Sequence, residues 1–109
     1  MKKLNEYIEF LGLELPVSVT LRTRVNKKTD GFYLPIHNKK GKLSGHKIVI
    51  YVTGLARPFD TILAHELIHA KQEEMKQEEI HGKVFRKFAK LMEDEFGLEQ
   101  IFLKDVDLN

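Results

Sequence analysis

Apolar residues fall at Leu4, Tyr7, Ile8 and Leu11, the i, i+3, i+4, i+7 spacing that gives a helix one apolar face. Gly12 and then Pro16 close it. From Val17 the period drops to two. Val17, Val19, Leu21, Thr23 and Val25 share one face of a strand, and Ser18, Thr20, Arg22 and Arg24 share the other. The turn residues NKKTDG lead to a second strand in which Phe32, Leu34 and Ile36 alternate. Pro35 cannot donate to a ladder and so places that strand at a sheet edge or near its end. A second turn, HNKKGKLSG, precedes HKIVIYV, where Ile48, Ile50 and Val52 alternate again. Three consecutive strands joined by turns read most simply as a meander.

The period then returns to 3.6. In TGLARPFDTILAHELIHA, Pro58 and Asp60 stand near a helix start, and Ile62, Leu63, Leu67 and Ile68 make a broad apolar stripe. In GKVFRKFAKLMEDEFG, the residues Val84, Phe85, Phe88, Leu91 and Met92 form a core face that ends at Gly97. Residues 98–109 alternate too weakly to specify an element. The expected fold is α+β: an N-terminal helix, a three-stranded mostly antiparallel sheet, and two further helices. At 109 residues the chain is read as one domain, 1–109.

Composition narrows the class. Hydrophobic residues at 42% and charged residues at 31% describe a globular chain, and no apolar run reaches the roughly 20 residues that a bilayer needs. The opening MKKLNEYIEFLGLELP has the two lysines of a signal peptide, but Asn5, Glu6 and Glu9 interrupt the apolar stretch that should follow. It reads as mature sequence of a cytoplasmic protein. With no cysteine, a metal here must be held by imidazole and carboxylate. The net charge of +2 conceals an asymmetry: residues 1–57 hold eleven Lys and Arg against four Asp and Glu, and residues 58–109 hold seven against twelve. A solvated surface accounts for such an imbalance, and so does a face that meets a polyanion.

The candidate chemistry lies in AHELIHA, residues 64–70. On a helix, His65 and His69 differ by roughly 40° in direction and about 6 Å in rise, so both reach one metal ion. Glu66, about 100° further round, stands where the general base of a zinc hydrolase must. This is the HExxH arrangement. A catalytic zinc takes three protein ligands and keeps one position for water, and His81, His37, His46 and the glutamates after His69 are available as the third. Gln72 and Met75 occupy the positions where HExxHxxGxxH needs Gly and His, which excludes that pattern. If helix ran unbroken, His81 would lie about 18 Å from His69. The helix must therefore stop between them for His81 to serve, although KQEEMKQEEI offers neither Gly nor Pro to stop it. Glu73, Glu74, Glu78 and Glu79 read as a solvated helix face, and His37 and His46 as surface residues beside a lysine-rich turn. Glu93 and Glu95 are more remote carboxylates, and Tyr33 and Tyr51 are candidate oxyanion stabilisers that spacing does not separate.

HELIHA followed by HGKVF resembles the SprT-like, or Spartan-type, metallopeptidase domain: HExxH, a short variable stretch, then histidine, glycine, two residues and an aromatic. DGFY at 30–33, ahead of the KIVIYV strand, resembles the family's glycine-plus-aromatic strand, so the likeness covers roughly residues 17–96. It implies His65, His69 and His81 as zinc ligands and Glu66 as the catalytic residue, in a peptidase acting on proteins or peptides. Members often carry a cysteine-bearing zinc ribbon after this domain, and these 109 residues hold no cysteine. The family association with DNA–protein crosslinks points to DNA as a partner, with Arg22, Arg24, Lys27, Lys28, Lys39, Lys40 and Lys42 as the cations to meet it. Rival readings are a DNA-binding or adaptor module on this fold with little turnover, a hydrolase acting on a non-peptide substrate, and a metal-free helical protein.

Overall fold

A computed structural model of the chain describes residues 2–23, 29–53, 55, 57–77 and 79–102. The elements run α1 (Lys2–Leu11), β1 (Val17–Arg22), β2 (Gly31–His37), β3 (Leu43–Tyr51), α2 (Phe59–Glu74) and α3 (Lys83–Phe96). This is the expected α+β architecture. Among the described residues no helix is long and apolar enough to cross a membrane.

The strand order is β1-β3-β2, not a meander: β2 pairs with β3 antiparallel, and β1 pairs with β3 parallel. Burial explains the arrangement. In β3, Ile48, Val49 and Ile50 are wholly enclosed, and a strand enclosed on both faces belongs at the centre of a sheet. The β2–β3 link is tight, because the Asn38 side-chain oxygen accepts from the Lys40 and Lys42 N–H groups and Gly41 takes a φ of 79°. That hairpin occupies one edge of β3 and leaves β1 the other. Pro35 accordingly lies on an edge strand.

Alternation along β2 misleads about which face is inward. Leu34 and Ile36 are exposed, whereas Gly31 and Tyr33 face the helices. A Cβ at Gly31 would come within 2.7 Å of the Val49 carbonyl and 3.3 Å of Ile62. The β3 backbone therefore leaves no room for a larger residue there, and α2 packs close by. On the helix side, Ile48 and Ile50 pack with Tyr7 and Leu11 of α1, Ile62, Leu63, Leu67 and Ile68 of α2, and Phe85, Ala89 and Met92 of α3. Leu91, expected in that core, is exposed.

Two helices end at glycines, as expected. Gly12 and Gly97 both adopt φ 68°, the left-handed conformation that closes a helix. The end of α2 matters more for the site. Lys76 takes φ 58°, its N–H donates to the Glu73 carbonyl at 3.1 Å, and the Gln77 N–H donates to the Gln72 carbonyl at 2.9 Å. These are the two bonds of a Schellman motif, with lysine where glycine is usual. The chain thus turns without a glycine and delivers His81 to the start of α3. Beyond α3, residues 98–102 form no regular element but bury Ile101 completely. The remainder of the 98–109 tail, like Val25 of the first strand, lies outside the described residues.

Candidate metal centre

α2 runs through the interior, with every residue from Thr61 to Ala70 buried. A helix so enclosed is ordinarily apolar on all sides, so the burial of His65, Glu66 and His69 at 0%, 1% and 8% exposure demands a compensating partner.

Neighbouring groups fix both rings. The Nδ1 of His65 lies 2.8 Å from the Ile101 carbonyl, which can only accept, so Nδ1 carries the hydrogen and Nε2 the lone pair. Gln72 settles His69 in the same way. Its amide nitrogen donates to the Glu79 carbonyl at 2.9 Å, turning its oxygen toward His69 Nδ1 at 3.0 Å. His69 Nδ1–H therefore donates, and its Nε2 also carries a lone pair. These two Nε2 atoms face each other at 3.2 Å. His81 brings a third, 3.4 Å from that of His65, and the three ligand atoms all lie within 4.8 Å of one another. Tetrahedral zinc with Zn–N of about 2.0–2.1 Å sets its ligand nitrogens about 3.3–3.4 Å apart. The donor set and its spacing therefore fit a metal ion bound by three imidazoles.

Phe85 supports the group. Its ring centroid lies 4.7 Å from that of His65 and 5.0 Å from those of His69 and His81, so one buried aromatic packs against all three imidazoles. The aromatic of HGKVF is thus part of the centre as well as of the core. The Ile101 carbonyl is held in place by a clamp that sequence pattern did not reveal. Thr61 Oγ1 donates to the Glu99 carbonyl at 2.9 Å, Arg57 donates to the Gln100 carbonyl at 3.2 Å, and the Ile101 N–H donates to Glu93 Oε2 at 3.2 Å. No periodicity marks such contacts, because they run through main-chain atoms of an irregular segment. Gln72 had only a negative signal, as the residue that breaks the longer histidine pattern.

Glu66 stands beside the imidazoles, and its Oε1 is buried with no hydrogen-bond partner among the described residues. Burial pushes its carboxyl up to about 8, against the pull of the Arg57 guanidinium. A cation held by the histidines would pull in the same direction as Arg57. Burial in turn lowers Arg57, which Asp30 and Glu66 partly restore. Glu66 and His69 open on a cleft of about 330 Å3, lined by Phe32, Tyr33 and Pro35 of β2 and by Gln77 and Ile80 of the α2–α3 loop.

The other candidates separate clearly. His37 is exposed, as expected. His46 is not a surface residue: it is fully buried between Tyr33 and Glu74. Glu74 is likewise no solvated side chain, since it accepts from the Glu14 and Leu15 N–H groups at 3.0 and 3.2 Å. Glu73 borders the cleft, Glu79 is exposed, and Glu78 lies outside the described residues. Neither Glu93 nor Glu95 belongs to the three-histidine group. Tyr33 lines the cleft, while Tyr51 packs against Phe32 with ring centroids 6.2 Å apart.

Among the described residues these cations do not gather in one patch. Lys39, Lys40 and Lys42 are exposed around the β2–β3 turn. Arg22 pairs with Tyr51 at the far end of β3, about 26 Å away at the rise of a strand. Arg24, Lys27 and Lys28 lie outside the described residues. A charge sum by halves conceals another cationic face: Lys83, Arg86, Lys87 and Lys90 are all exposed on α3 at i, i+3, i+4 and i+7, and so form a stripe. The chain matches no protein-family model, no curated protein and no solved structure.

Proposed function

We propose that this chain is a zinc-dependent peptidase of the SprT-like type, with His65, His69 and His81 as ligands and Glu66 as general base. The observation that carries the reading is the 3.2 and 3.4 Å spacing of imidazole Nε2 atoms beside a buried carboxyl that opens on a cleft. Zinc bound there supplies a Lewis acid, lowering the pKa of a water toward 7 and polarising a carbonyl. The chain's own groups account for the rest. Ile101 and Gln72 hold the tautomers that present Nε2, and Phe85 keeps the three rings in register. Glu66 accepts a proton at its carboxylate and returns it to a leaving amine. A site built only to hold structure has no need of that buried acid beside its ligands, so Glu66 favours an enzyme over a structural metal module. Protein purified without added metal and assayed on unfolded polypeptide tests this. Zinc-dependent cleavage supports it, and zinc-loaded protein without cleavage overturns it.

The substrate reading is proteins associated with DNA. The exposed lysines of the β2–β3 turn and the cationic stripe on α3 support it through charge alone, and α3 begins next to His81. A DNA-binding or adaptor module with little turnover draws on the same cations and differs in leaving Glu66 without a role. A cytoplasmic location is the compartment in which this reading places the chain.

A further inference from the structure

His46 is fully enclosed yet stands outside the metal centre. Its Nε2 lies 2.7 Å from Glu74 Oε2, and its Nδ1 lies 2.7 Å from the Tyr33 hydroxyl. Burial works to raise the Glu74 carboxyl, but the Glu14 N–H, His46 and the Leu15 N–H outweigh it and hold the group below the usual carboxylate range. Glu74 is therefore an acceptor only, and His46 Nε2 must be a donor. Burial, then Glu73 and Glu74, push Tyr33 well above the usual phenol range, so it stays neutral. A neutral phenol has one hydrogen and two lone pairs. Whether Tyr33 donates to His46 or accepts from it, the hydroxyl keeps capacity for one more partner, and Tyr33 lines the cleft that holds Glu66 and His69.

His46 is enclosed and Glu74 nearly so, and replacing a pair of this kind by apolar residues of the same volume is often neutral or stabilising. This one runs from the end of α2 through β3 to a single phenol at the cleft wall. We propose that Glu74 and His46 fix the Tyr33 hydroxyl as the hydrogen-bonding contact for a polar backbone atom of a bound peptide. Tyr33 then touches the ligand, and His46 and Glu74 are positioning residues. The proposal rests on the reading of the cleft as a peptide site. A purely structural role, tying the α1–β1 loop to α2, is the competing account. The two differ in one respect: positioning acts only through Tyr33, so removing the phenol should silence the effect of the other two residues.

The test measures affinity of the zinc-loaded protein for a peptidyl hydroxamate by calorimetry, with acetohydroxamate, which has no peptide part, as control. Tyr33→Phe is expected to weaken the peptidyl ligand by about 2- to 10-fold, the worth of one hydrogen bond between neutral groups. Zinc content and acetohydroxamate affinity should hold. His46→Gln and Glu74→Gln should weaken it less, and neither should add to the loss in a Tyr33→Phe background. Should His46→Gln not fold, Glu74→Gln completes the cycle by itself. Losses that simply add, or a Tyr33→Phe protein that binds like wild type, overturn the proposal. Peptide hydrolysis is followed on the same proteins. Tyr33-dependent affinity without hydrolysis overturns the peptidase reading and leaves the proposal standing, whereas zinc-loaded wild type that ignores the peptidyl hydroxamate overturns both.

Discussion

The side-chain oxygen of Gln72 accepts a hydrogen bond from His69 Nδ1 at 3.0 Å, one turn along the same helix. Because the Gln72 nitrogen is occupied by the Glu79 carbonyl, this single residue both sets the His69 tautomer and ties the α2–α3 loop that carries His81. Outer partners of this kind typically change metal affinity by about 10- to 100-fold. Gln72→Ala is expected to weaken zinc by that factor in competition with a chromophoric chelator. An affinity equal to wild type would show that His69 is oriented by something else.

Ligand identity is checked by metal content. His65→Ala, His69→Ala and His81→Ala should each purify with far less than one zinc per chain. His37→Ala should retain it, since His37 is exposed on β2 and apart from the three-histidine group. Full zinc in His81→Ala would remove it from the ligand set.

Glu66→Gln separates chemistry from binding and also reports on stability. It should keep zinc and lose peptide hydrolysis by about 10²- to 10⁴-fold. In metal-free protein the folded carboxyl titrates near 8 and the unfolded one near 4.5. The native state therefore holds a proton that the unfolded state releases between these values, and stability falls as pH rises through that window. Gln carries no such penalty. Metal-free Glu66→Gln should exceed metal-free wild type in stability at pH 7 by up to about 3 kcal/mol, with the gap closing below pH 4.5. Urea denaturation across pH measures the difference between the two proteins, in which the histidines cancel. A gap that does not change with pH would contradict the buried, proton-holding Glu66.

Lys76 holds a left-handed backbone at φ 58°, a conformation that costs a residue with Cβ about 1 kcal/mol and glycine almost nothing. Lys76→Gly should therefore stabilise the protein by about 0.5–1 kcal/mol, and Lys76→Ala should not. A stabilisation shared by both variants would place the effect in the side chain instead.

DNA affinity, if it comes from phosphate contacts, should fall with salt at a logarithmic slope of about −0.7 per contact for single strands and −0.9 for duplex. Charge reversal of Lys39, Lys40 and Lys42 together, or of Lys87 and Lys90 on α3, should reduce that slope and leave zinc content unchanged. Binding insensitive to salt and to both reversals would return these cations to ordinary solvated surface.

Much of this molecule is local and therefore legible in the chain. Helical spacing at Leu4, Tyr7, Ile8 and Leu11, glycines at 12 and 97, alternation through Ile48 and Ile50, and HELIH on one helix turn all depend on interactions within a few residues. What stayed hidden depends on contacts between distant segments. Periodicity marks β1 and β2 as strands but cannot say that both pair with β3, which the burial of β3 decides, or that Leu34 and Ile36 face outward, which the packing of Gly31 and Tyr33 toward the helices decides. His46 and Glu74 look like surface residues by composition, and they pair, with His46 fully enclosed, only when β3 and α2 meet. The place of His81 beside the other two histidines depends on a helix stop at Lys76 made by backbone bonds, with no glycine to signal it. The clamp at Ile101 likewise uses a carbonyl, which carries no signature in the sequence. Side-chain pattern specified the elements and two of the three clustered histidines; main-chain hydrogen bonding and close packing, which every sequence shares, completed the cluster.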